Sequence, residues 1–378
     1  MNRKILGLIM IACFAFLAAC GSKDGTPIGI IAPITGDAAV YGIAARDGAI
    51  LAFEEINTAG GVLDSEIRFI VIDDKHNPPD AVNAFNRLVD RENVVAIIGP
   101  VTSAPANAAA AAAVTNRVPM ISPTGTAEDV TSHGDFMFRA CFLDTFQARS
   151  MATFASSQLG AQTAAILFDS GNAYSQGLAD NFREQFIAMG GTIIANEAYS
   201  DGDVDFRTQL TTIRAAGADV LFLPDYYNVV ALIATQVREL GVESVMLGAD
   251  GWEGIFDVLD DHSIMNGSFY SAHYAADDTS PAVQNFITNY TARFGSPPNS
   301  FAALGYDAAQ IMAQAIREAG TTDTEPVIRA LQNISFSGVT GNITFDSNGD
   351  PIKDLIVIAI ETNGSETTSR FYSRVAPQ

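Results

Sequence analysis

The sequence predicts an α/β fold made of two doubly wound parallel-sheet lobes. Three observations predict it. Short apolar runs that read as buried strands alternate with segments at helical spacing along nearly the whole chain. The pattern restarts near Thr145 with no Pro- or Ser-rich linker before it. The length, 378 residues, is too great for one small core, so two domains of ordinary size are expected.

Ile28–Ala32 is the first buried strand, and it stops at Pro33-Ile34-Thr35-Gly36. A helix is expected over Asp37–Thr58, with Ala45, Ala49, Ala52, Phe53 and Ile56 on one face and Gly60-Gly61 as its stop. Glu66–Asp73 alternates and reads as the second strand. Pro78-Pro79 opens the next helix, proline being tolerated at the first helical position. Val94–Ile98 is a third strand that ends at Gly99-Pro100, after which Thr102 and Ser103 open an alanine-rich helix. Val118–Ser122 is a fourth, ending at Pro123-Thr124-Gly125-Thr126, where another helix start is expected.

Strand-to-helix turns of this kind sit at the carboxyl ends of parallel strands, where neighbouring turns form a ligand crevice. Each carries a small hydroxyl residue here. Ser103 reads as an N-cap, beside unpaired backbone N–H groups and a positive dipole end, which suits a small anion such as a carboxylate. The plainer reading, that Ser103 and Thr126 only cap helices, stays open.

From Thr145 the expected elements are a helix at Phe146–Leu159, a strand at Thr163–Phe168, a helix at Tyr174–Met189 and a strand at Thr192–Tyr199. A helix at Phe206–Ala216, a strand at Val220–Pro224, a helix at Val229–Leu240 and a strand at Ser244–Leu247 follow. Phe269–Tyr274 reads as a further strand. Long helices at Ala282–Phe294 and Phe301–Ala319 are expected to return and cover the first lobe. Gly338–Asp346 and Leu355–Ile360 are late strands. Two lobes joined by several crossings make a hinge.

Hydrophobic content of 48% with 17% charged residues fits a packed globular chain. The net charge of −22 argues against a nucleic-acid partner and against docking on an anionic membrane surface. Arg3 and Lys4 precede an apolar stretch, Ile5–Ala18, too short to span a membrane comfortably. This is a secretory signal, and its ending, Leu17-Ala18-Ala19-Cys20, resembles a bacterial lipobox. That resemblance implies cleavage before Cys20, lipidation of Cys20 and a tether to Thr26. Losing Arg3 and Lys4 would take the charge to −22 − 2 = −24. Cys13 leaves with the signal, so Cys141 has no partner for an intrachain disulfide and reads as a small buried hydrophobe.

Seven segments then carry a family resemblance: IGIIAPITGDAAVYG, AFEEINTAGGV, VVAIIGPVTS, VPMISPTGTAEDVT, AYSQGL, GADGW and FSGVTGNITFDSNGD. Each is weak alone, but together and in order the chain resembles the type I periplasmic binding proteins, leucine/isoleucine/valine-binding branch of ABC importers. The resemblance implies a free amino acid held between two closing lobes. It implies ligand contacts at Ser103 for the carboxylate, at Thr124, Gly125 and Thr126 for the main-chain groups, and at Asp250 for the ammonium. Tyr41, Tyr174 and Tyr226 match its aromatic covers. It also implies permease and ATPase partners, an exported monomer on a lipid anchor, and no cofactor or metal. The lobes would be residues 27–142 with 274–340, and 143–273 with 341–378, after a signal (1–19) and tether (20–26).

The chemistry of the residues agrees with that expectation. A zwitterion needs donors at one end and a carboxylate at the other. Alternatives remain for single residues: Tyr226 as strand-end packing, Asp250 as a helix cap, Tyr41 as a surface residue. The chain also departs from the pattern. Asp250 stands where the family often has Glu, Asp225 precedes Tyr226, and Thr102 follows Val101 on the wall expected to face the ligand side chain. These three, Val101, Thr102 and Asp225, are the specificity candidates, and they widen the expected ligand from branched-chain amino acids to small polar or cationic ones. An enzyme is not expected: the chain has no dinucleotide glycine fingerprint, P-loop, His-Glu-x-x-His or Gly-x-Ser-x-Gly. His76, His133, His262 and His273 are scattered without metal spacing and read as surface or core residues. A same-fold amide or urea binder, or a receptor for a signalling partner, remains the alternative.

Overall fold

The computed structural model describes residues 25–377, so the expected signal segment and Cys20 lie outside the described residues. β1 (Thr26–Ala32) is apolar and almost wholly buried, as a central parallel strand requires. It pairs in parallel with β2 (Ile67–Asp73) on one side and β3 (Ala96–Ile98) on the other. β4 (Met120–Ser122) and β5 (Met137–Arg139) extend the sheet in the order β2-β1-β3-β4-β5, all parallel. The second sheet holds β6 (Thr163–Asp169), β7 (Thr192–Tyr199), β8 (Val220–Phe222), β9 (Val245–Gly248) and β10 (Phe269–Ala272), again parallel. A small antiparallel sheet follows, made of β11 (Phe336–Gly338), β12 (Gly341–Phe345) and β13 (Pro351–Ile352). The chain ends in the antiparallel pair β14 (Leu355–Asn363) and β15 (Glu366–Val375). These complete the second sheet in the order β15-β14-β10-β9-β8-β6-β7.

Helices fill the crossovers. α1 (Ala39–Thr58), α2 (Pro78–Asp90) and α3 (Ser103–Asn116) join the strands of the first sheet. α4 (Asp144–Ser157), α5 (Ala173–Ala188), α6 (Arg207–Ala216) and α7 (Tyr227–Glu239) do so in the second. α8 (Pro281–Phe294), α9 (Ser300–Ala319) and α10 (Thr324–Gln332) then return, and α9 lies on α1, as the sequence suggested. That contact is backbone on backbone. A Cβ at Gly48 would come within 1.9 Å of Ala302 O, and one at Gly305 within 2.0 Å of Ala45 O. Alanine at either position would force the helices apart.

The chain passes between the two large sheets three times: between Arg139 and Asp144, between Ala272 and Pro281, and on the way into Leu355. Buried charges stitch these crossings together. Lys353 Nζ donates to Ala140 O at 3.2 Å and to Thr340 Oγ1 at 2.6 Å. Asp307 accepts from the Val339 and Thr340 N–H groups and the Thr340 hydroxyl. Cys141, beside Ala140, is fully buried, and burial pushes its thiol up.

Several sequence expectations need correction. Thr102, not Ser103, is the N-cap of α3, and Ser103 is its first helical residue. The helix expected after Thr126 is a single 3-10 turn at Glu128–Val130. Gly338–Asp346 is not one strand, because it reverses between β11 and β12. β1 already begins at Thr26, the last residue of the expected tether. β5, α10 and β15 were not expected. β15 reads ETTSRFYSRV and is mostly exposed at a sheet edge, so it carries no apolar run to announce it. Among the described residues no helix is long and apolar enough to cross a membrane.

Candidate functional site

Six strand ends converge on one point. Tyr41 sits in the first turns of α1, Ser103 at the start of α3, and Thr124 and Thr126 in the turn after β4. Tyr174 opens α5, Tyr226 is the N-cap of α7, and Asp250 follows β9. Each lies just beyond the carboxyl end of a parallel strand, where α/β sheets bind ligands. Together they wall one space between the two sheets, with Val101, Thr102, Gly251 and Phe301 completing the wall.

Asp250 is 3% exposed and fixed from three sides. Tyr174 donates to its Oδ1 at 2.7 Å and Gln147 Nε2 at 2.9 Å, and His273 Nε2 lies 3.2 Å from Oδ2. Gln147 also donates to Asp144 Oδ1 at 2.8 Å, so one carboxamide ties two acids together. Burial, then the neighbouring Asp250 charge, pushes the Asp144 carboxyl well above the usual carboxylate range. Burial holds His273 down at about 4, so its ring is neutral at physiological pH. Three buried polar atoms here have no hydrogen-bond partner among the described residues, Thr126 Oγ1, Asp144 Oδ2 and His273 Nδ1. Of these only Thr126 lines the cavity, where its hydroxyl can meet a ligand group.

On the side of the first sheet Ser103 Oγ accepts from the Ala127 N–H at 3.2 Å, and the Thr124 hydroxyl donates to Val101 O. The first N–H groups of α3 have no partner within their own helix, as at any helix start. The aromatic residues interlock across the space. Tyr174 and Tyr226 stack at 4.9 Å, and Tyr41 meets Tyr226 edge-on at 5.6 Å. Tyr41 is fully buried, donates to Gly251 O and accepts from the Tyr227 N–H, so it bridges the two sheets instead of lying on the surface.

Two expected residues do not line the space. Gly125 lies behind its wall. Its N–H donates to Ser122 Oγ at 3.0 Å and its carbonyl accepts from Arg139 Nη1 at 2.9 Å. Asp225 borders a neighbouring space with Asp37, His76 and Asp169, and only Tyr226 is common to both. Its carboxylate accepts from the Tyr199 hydroxyl and the Tyr226 N–H, and burial pushes it up to about 7. The sequence reading missed Asp144, Gln147, His273 and Phe301. His273 does follow a strand end, the same signal that marked the others. Asp144 and Gln147 looked like ordinary helix-start residues. Among the described residues no three His, Cys, Asp or Glu side chains are grouped to hold a metal ion.

Two sheets whose parallel strands end at a shared polar cavity have the architecture of the two-lobed solute-binding proteins. The chain belongs to the periplasmic binding protein family, whose pattern matches residues 25–365. It is 31% identical to the Leu/Ile/Val-binding protein BraC3 of Rhizobium johnstonii, over 93% of this chain and 95% of that one. The leucine-binding protein LivK of Thermotoga maritima superposes with a TM-score of 0.87 at 33% identity, covering 93% of this chain and 99% of that one. The branched-chain amino acid transporter substrate-binding protein LivJ of Streptococcus pneumoniae, solved with isoleucine, gives 0.86 at 29% identity, covering 92% and 99%. The family is one of exported, periplasmic proteins.

Proposed function

We propose that this chain captures a free amino acid between its two sheets, branched side chains being favoured, and delivers it to an ABC importer. The observation that carries this is the two-ended cavity. Asp250 and Thr126, which both line it, offer acceptors to an ammonium group. Ser103 and the start of α3 offer donors to a carboxylate. The Leu/Ile/Val binding named for the relatives supports the same class of ligand. Thr124, Tyr41, Tyr174 and Tyr226 exclude water and strengthen both contacts. Both sheets contribute walls, so the ligand favours the closed arrangement of the lobes, which then docks on the permease. The protein acts as a monomer on a lipid anchor at Cys20.

Thermal unfolding of the soluble chain against the common amino acids, urea, small amides and benzoate tests this. A ligand at 100 times its dissociation constant stabilises by about 2.7 kcal/mol, which raises the midpoint by a few degrees. Free amino acids are expected to give the shift. A shift with urea or amides alone would replace the reading with the amide binder.

A further inference from the structure

Asp250 lines the cavity, but a residue that grips it does not. Gln147 lies wholly buried on α4. Its carboxamide has two N–H donors and two acceptor positions, and all are used. Nε2 donates to Asp250 Oδ1 at 2.9 Å and to Asp144 Oδ1 at 2.8 Å. Oε1 accepts from the Asp250 N–H at 3.2 Å and from the Ser271 hydroxyl at 2.8 Å. Tyr174 and His273 reach the Asp250 carboxylate too, but Gln147 also holds its main chain. Asp144 carries the line on, since its N–H donates to Thr126 O at 3.0 Å. A run of hydrogen bonds therefore passes behind the cavity wall, through Asp144 and Gln147, from the Thr126 turn to Asp250. It joins the two residues that offer acceptors to the ammonium.

We infer that Gln147 is the positioning residue for ammonium capture: without touching the ligand, it sets where the free acceptor of Asp250 stands relative to Thr126. This rests on the amino-acid reading above and deepens it. A carboxylate offers about four acceptor positions, two on each oxygen. Oδ1 of Asp250 spends both of its own on Tyr174 and Gln147. Oδ2 faces His273 Nε2, and the other ring nitrogen, Nδ1, has no partner among the described residues. A proton on Nδ1 would leave a buried donor unpaired and turn the bare Nε2 on a carboxylate, so the neutral ring carries its proton on Nε2 and donates to Oδ2. The position left for the ligand is the second one on Oδ2. Where it points depends on the rotation of the carboxylate and on the main chain that carries it, and Gln147 fixes both.

Titration calorimetry reads the inference with leucine, isoleucine or valine, whichever wild type binds best, and with the des-amino carboxylic acid of the same skeleton. Gln147→Met keeps the length of the side chain and removes its hydrogen bonds. It is expected to weaken the amino acid about tenfold or more, the scale of one charge-assisted hydrogen bond, and to leave the des-amino acid nearly unchanged. Ser271→Ala removes one of the four bonds of Gln147 and leaves Asp250 its partners. It is expected to narrow the same ratio by less, and it decides the matter should Gln147→Met not fold. A variant that loses both ligands alike, or a ratio that stays at the wild-type value, overturns the inference and leaves amino-acid capture standing. Wild type that binds none of the three amino acids, or binds the des-amino acid equally well, overturns the amino-acid reading and this inference with it.

Discussion

Asp250→Ala is expected to cut sharply the affinity for a ligand that carries an ammonium group. Truncating one partner of a buried, hydrogen-bonded charge pair costs roughly 2–5 kcal/mol, or about thirtyfold to several thousandfold in affinity. Asp250 meets those conditions. It is 3% exposed, it lines the cavity, and Tyr174, Gln147 and His273 hold its two oxygens in place. Its removal also strips Tyr174 and Gln147 of a shared acceptor. Asp250→Asn therefore serves as the companion variant, since it keeps the shape and one acceptor while removing the charge. Calorimetry should show both variants losing the amino acid, with the unfolding midpoint of the asparagine variant close to wild type. Undiminished binding in Asp250→Ala would mean that the ligand is an uncharged amide and that Asp250 is a structural residue.

Arg139→Met is expected to destabilise the fold by about 3–5 kcal/mol, the cost of stranding the partner of a buried ion pair. The guanidinium is fully buried at the end of β5, beside the first crossing. Nη1 donates to Gly125 O at 2.9 Å and Ala127 O at 2.8 Å, and Nη2 to Thr131 Oγ1 at 2.6 Å. Nε lies 2.6 Å from Asp350 Oδ1, an ion pair outside hydrogen-bond alignment. One side chain thus ties the Thr124–Thr126 turn of the site to the chain just before the last crossing. Burial already pushes the Asp350 carboxyl up, and Arg139 is the main charge opposing that. Without Arg139 it must protonate or be stranded. Denaturant unfolding reads the effect, and the double variant Arg139→Met/Asp350→Leu should recover part of the loss. A single variant as stable as wild type would show that the network does not support the turn.

The parts of this protein that were legible in its sequence are those set by local pattern. Buried parallel strands are short apolar runs, and Ile28–Ala32 and Thr163–Phe168 were readable as such. The turns after them were readable because Gly, Pro and small hydroxyl residues punctuate them, which is how Ser103, Thr124 and Thr126 came to notice. The rest depends on contacts between distant segments. Gln147 touches Asp250 across 103 positions of sequence, and no local feature tells it from any polar helix residue. Asp225 misled because its neighbour Tyr226 does line the cavity, while its own carboxylate turns to Tyr199 on the far side.

In the proposed complex both ends of a zwitterion are held at once. Calorimetric titration of the soluble chain with its best amino acid, and with the des-amino carboxylic acid of the same carbon skeleton, tests this directly. Saturable binding of the amino acid is expected, with a loss of about thirtyfold or more for the des-amino acid, matching the effect of removing Asp250. Equal binding of the two would contradict it, because the buried acid would then have no ligand charge to meet.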